Sequence, residues 1–143
     1  MSRVRPLCVV LSLCLSPLSG WSADPPDFQP LRLQCRGNEP FWSVEVNGDS
    51  AISSRLGVEP QEQPFEGSVH TLDYLQPPWL VWRGFNVVDG EAGGEALVMT
   101  LRREACHDTM ADGPPMDYRA VVVYPDASVV TGCCAAVGAP DSP

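Results

Sequence analysis

The chain has 143 residues, 44% of them apolar, and 18 acids stand against 9 basic side chains, all arginine, for a net charge of −9. That length fits one domain. An acidic surface repels phosphate backbones, so nucleic acid is not among the expected partners.

Residues 1–23 have the three-part layout of a secretory signal: Arg3 and Arg5, an apolar run to about Leu18, then small residues Ser19, Gly20, Ser22 and Ala23. The run is short of the roughly 20 apolar residues of a spanning helix, and Pro17 interrupts it. No later stretch is long and apolar enough to span, so the mature chain is expected to be soluble and periplasmic or secreted. Without Arg3 and Arg5 its charge moves from −9 to −11. A charge of that sign would steer a basic protein toward the surface.

Residues 24–30, "DPPDFQP", read as an extended lead-in. The domain is expected over residues 31–134. "LRLQC" (31–35) alternates, and "FWSVEV" (41–46) leads into Asn47-Gly48, a hairpin signal, with "AISSRL" (51–56) returning. Residues 57–67 hold two prolines and three glutamates and read as a loop. "SVHTLDYL" (68–75) alternates again. "WLVWRGFNVV" (79–88) has the aromatic and branched content of a strand. "DGEAGG" (89–94) reads as a turn, and "EALVMTLRR" (95–103) as a central strand. Residues 104–117 look irregular, with room for one helical turn. "YRAVVVY" (118–124) and "SVVTGCC" (128–134) form a closing hairpin, and residues 135–143 are expected to fray. About eight short strands with no long amphipathic helix predict an all-β fold, a small antiparallel β-barrel or strongly curved sandwich.

Cys8 and Cys14 leave with the signal, and Cys35, Cys106, Cys133 and Cys134 remain. An even count in a small exported chain reads as a disulfide framework. A ring between the adjacent Cys133 and Cys134 would be strained. Cys35 and Cys106 are therefore each expected to join one member of that pair, which one being open. A bridge from Cys35 closes about 100 residues, worth about 4.7 kcal/mol in the chain-entropy model.

"GNEPFW" (37–42) puts an acid beside Pro40, Phe41 and Trp42. Neighbours on a strand face opposite ways. Trp42 is expected to point inward with Val44 and Val46, leaving Phe41 in need of cover. Glu39 has no folding duty of its own. It can cap an amide, pair with an arginine or line a pocket, in that order.

"C-x-G-N-E-P-F-W" at 35–42, "C-x-D-T-M" at 106–110 and "G-C-C" at 132–134 together resemble a family of small exported bacterial proteins of uncharacterised function. The resemblance covers residues 31–134. It implies export and a β-rich domain, and it brings no activity. Members often follow "DTM" with a short serine-containing turn, where this chain has "ADGPPMD". A looser likeness, of class only, is to periplasmic lysozyme inhibitors, which are also small, acidic, disulfide-tied barrels.

No catalytic set stands out. There is no G-x-S-x-G elbow, and "GEAGGEA" lacks the lysine of a phosphate loop. His70 is expected on an outer strand face. The candidate ligand-binding residues are Glu39, Trp42, His107, Asp108 and Met110. The leading reading is a non-enzymatic binding module for a protein or small ligand, with no cofactor. One alternative is an acidic inhibitor of a basic cell-wall hydrolase such as lysozyme. Another is a copper or redox module drawing on the cysteines, His107, Met110 and Met116, since soft sulfur ligands select copper(I).

Overall fold

The computed structural model describes residues 30–109 and 112–138. The segment expected to be a signal, most of the expected lead-in, Met110 and the last residues of the expected tail lie outside that range.

Eight strands run in sequence: β1 Arg32–Asn38, β2 Phe41–Asn47, β3 Ser50–Arg55, β4 Glu62–Leu72, β5 Trp79–Val88, β6 Glu91–Cys106, β7 Met116–Val123 and β8 Val129–Ala136. Each pairs antiparallel with the next, and β8 returns to β1, so the sheet closes as a barrel. Of the two expected architectures this is the barrel. Closure leaves no unpaired edge.

Alternation builds the interior. On β2, Trp42, Val44 and Val46 are buried, as their shared face predicts, and Phe41 and Glu45 are exposed. Phe41 stays 53% exposed, so the cover expected for it is missing among the described residues. Trp82, Tyr124, Phe65, Leu97, Met99 and Leu101 fill the centre. Their polar atoms are matched. Trp82 Nε1 donates to the Gly48 carbonyl at 3.0 Å, Trp42 Nε1 to the Thr131 carbonyl at 3.3 Å, and Ser53 Oγ to the Tyr124 hydroxyl at 3.3 Å. The barrel is thus packed rather than hollow.

Four segments differ from the sequence reading. β4 begins at Glu62, inside the expected loop 57–67. Its ladder with β5 starts only at Phe65, so Pro64 sits where β4 has one partner, β3, and a missing donor is tolerated there. β6 begins at Glu91, inside the expected turn 89–94, because a bulge takes up Gly94 and Glu95 between the Asn86↔Gly93 and Phe85↔Ala96 pairs. Residues 104–117 contain no helical turn among the described residues: β6 runs to Cys106 and β7 starts at Met116. Finally, β8 continues past Cys134. Ala135 and Ala136 pair with Gln34 and Leu33, and Val137 N donates to the Arg32 carbonyl at 2.9 Å. The domain therefore extends beyond 134.

One end of the barrel is tied by charge. Arg55 Nη1 reaches Asp126 Oδ2 at 2.9 Å and Ser128 Oγ at 2.8 Å, and its guanidinium lies 4.0 Å from the Tyr124 ring centroid. Hydrogen bonds from the Ser128 hydroxyl and amide, then from Arg55, lower the Asp126 pKa to about 2. Burial raises that of Tyr124.

Candidate functional site

The adjacent cysteines of β8 face opposite ways, and each serves a different staple. Cys134 points into the core and joins Cys35, its ladder partner on β1. Cys133 points outward and joins Cys106. The choice left open by the sequence is thus settled by strand alternation. Both members are buried, although only one faces the core.

The outer staple sets the path of the chain after β6. Cys106 Sγ lies 3.6 Å from the Gly132 carbonyl oxygen. Residues 107–109 then run along the outer wall made by β8 and β1. Asp108 lands on two outward residues of β1. Arg36 Nε is 3.0 Å from its Oδ2, and Asn38 Nδ2 donates to its Oδ1. The Asp108 side chain is only 9% exposed, against 53% for Arg36. This aspartate is the buried partner of the pair.

Trp42 joins the same region from inside. A Cβ on Gly37 would lie 2.2 Å from Trp42 Nε1, and one on Gly132 would lie 2.6 Å from Cζ2 and 2.1 Å from the Arg36 carbonyl oxygen. The indole therefore lies across two bare backbones. This gives "GNEPFW" and "GCC" a common structural reason.

The Arg36–Asp108 pair stands between two shallow clefts. One, of about 350 Å³, is lined by Arg36, Glu39, His107, Asp108, Arg119 and Thr131, among others. The other, of about 440 Å³, is lined by Arg36, Ser43, Glu45, Asp108, Met116 and Asp117, among others. Arg119 is itself held by Glu104, which also reaches Arg102.

Of the candidate residues, Glu39, His107 and Asp108 meet in the smaller cleft. Glu39 takes part in none of the described ion pairs and lines the smaller cleft. Trp42 is sealed in the core and does not line that cleft. Met110 lies outside the described residues. Arg36, Asn38 and Arg119 were not singled out from the sequence. The signal for the first two was parity: both share the face opposite to core-facing Cys35.

The clefts offer mixed charge and hydrogen-bonding groups, without a nucleophile set. His70 Nε2 is 3.1 Å from Ser68 Oγ on the exposed face of β4, but no described residue orients that imidazole as a triad requires. The four cysteine sulfurs of the described residues are in disulfides and offer no thiolate. Among the described residues no group of three or more His, Cys, Asp or Glu is placed to hold a metal ion, and no helix is long and apolar enough to cross a membrane. No family model, no curated protein and no solved structure matches the chain.

Proposed function

We propose that the chain is an exported, non-enzymatic recognition module, acting in the periplasm or outside the cell through its outer wall. The observation that carries this reading is a convergence. Residues of all three sequence motifs meet where Asp108 is clasped by Arg36 and Asn38 beside the Cys106–Cys133 staple. The packed interior supports it further, since a carrier barrel keeps an open cavity for cargo. Two disulfides fit an oxidising compartment.

Recognition then falls to surface groups: Glu39, His107 and Arg119 around the clasp, with Asp108 as the fixed acceptor. Native mass spectrometry of the exported protein, followed by alkylation under denaturing conditions, tests the reading. The expected result is four unreactive cysteines and no bound small molecule. Free thiols, or a metal held by them and released on denaturation, would overturn it.

A further inference from the structure

We infer that the outer face of β2–β4 docks a basic protein, with Ile52 as the anchor and Glu45, Glu62 and Glu66 around it. The inference rests on the reading of the chain as a recognition module and names the class of partner.

Ile52 is 50% exposed in the middle of β3. Its ladder partners are Glu45 on β2 and Pro64 on β4. Glu62 and Glu66 sit two positions to either side of Pro64 and so share its outer face. All three glutamates are exposed. The outward positions of these strands carry no arginine or lysine.

Charge compensation happens elsewhere. The described ion pairs join Arg36 to Asp108, Arg55 to Asp126, and Arg102 and Arg119 to Glu104. None involves Glu45, Glu62 or Glu66. Four of the seven described arginines, Arg36, Arg55, Arg102 and Arg119, are spent on those pairs, and Arg32 at the edge of this face is in none of them, so its three glutamates keep their negative charge.

The face is also apolar at its centre and at one end. Phe41 is 53% exposed and Leu56 72% exposed, and they adjoin where Leu56 N donates to the Phe41 carbonyl at 3.1 Å. Beside Ile52 a groove of about 250 Å³ runs past Glu45, Asn47 and Ser50, with Arg32 among its lining residues. A lysine or arginine of a partner can lay its methylenes on Ile52 and place its charged head at Glu45. Apolar anchors inside a polar rim are the usual anatomy of a protein interface. The three carboxylates surround an isoleucine and form no described metal-binding group, so a protein surface fits them better than a bare cation.

The test uses the full mature chain against two immobilised basic probes, a c-type lysozyme and cytochrome c, at low and high salt. Three variants are compared with it: Glu45→Gln/Glu62→Gln/Glu66→Gln, Ile52→Ser, and a charge-matched control, Asp89→Asn/Glu91→Gln/Glu95→Gln, at the β5–β6 hairpin. The expected result is saturable, salt-sensitive binding to at least one probe. The triple glutamate variant weakens it about tenfold or more and Ile52→Ser about threefold or more, while the control changes it by less than about twofold. Equal weakening by the triple variant and the control would mean net charge alone is at work and would overturn the inference, as would no saturable binding to either probe. If the probes fail while a partner from the export compartment is still retained through Arg36 and Asp108, this inference alone falls. If no partner of any kind is retained, the recognition reading falls with it.

Discussion

Asn38 Nδ2 donates to Asp108 Oδ1, joining "GNEPFW" to "C-x-D-T-M" across 70 positions of sequence. The same carboxylate holds Arg36, so one acid locks the post-β6 segment onto β1. Asp108→Asn keeps the shape and removes the charge. We expect a loss of about 1 kcal/mol, since a hydrogen bond to a charged group contributes about 1.5–3 kcal/mol and the exposed Arg36 is screened by solvent. Urea unfolding reads this as a lower midpoint at unchanged slope. No change in midpoint would show that the clasp does not hold the segment.

Gly37→Ala and Gly132→Ala each push a methyl into Trp42 and into a backbone carbonyl. Overpacking of this kind costs about 1–3 kcal/mol, and contact with backbone places both at the upper end. Trp42→Ala, which empties the site, is expected to cost about 3–5 kcal/mol. Near-neutral Gly132→Ala in urea would mean that the indole does not lie where described.

The two staples differ in the loop they close. Cys35–Cys134 spans 99 positions and Cys106–Cys133 spans 27. On chain entropy alone the first is worth about 4.7 kcal/mol and the second about 3.6 kcal/mol. The paired Cys→Ser variants should therefore unfold in that order, with the Cys35/Cys134 variant the less stable. The reverse order in thermal melts would show that the outer staple contributes packing beyond chain entropy.

Asp126 has its pKa lowered from 3.8 to about 2, first by the Ser128 hydroxyl and amide and then by Arg55. A lowered carboxylate pKa stabilises the fold above the unfolded value, and that contribution is lost as pH falls through the folded value. Stability should decline between 3.8 and about 2, and Asp126→Asn should flatten that decline. Its magnitude is small because the side chain is 54% exposed. Carboxyl resonances followed by NMR give the pKa directly, and an Asp126 value near 3.8 would contradict the cap.

Much of the barrel was legible because period-two alternation and turn chemistry act locally. Residues 79–88 read as a strand with the bounds of β5, and Trp42 faces inward as the valines two and four positions on imply. What escaped was long-range. Pro64 reads as a breaker until β3 is seen as its only neighbour. Glycines at 93 and 94 read as a turn until the bulge absorbs the second of them. Arg36 and Asn38 became site residues only because the outer staple brings Asp108 over them, a consequence of which adjacent cysteine faces out.

We propose that recognition runs through the outer wall at the clasp. The most direct measurement is quantitative retention of partners from the export compartment by the wild-type chain and by Arg36→Gln/Asp108→Asn, at equal folded concentration verified by melting. A saturable partner is expected whose retention falls about tenfold in the variant, a loss on the scale of a truncated interface hot spot. Equal retention by both chains would contradict it.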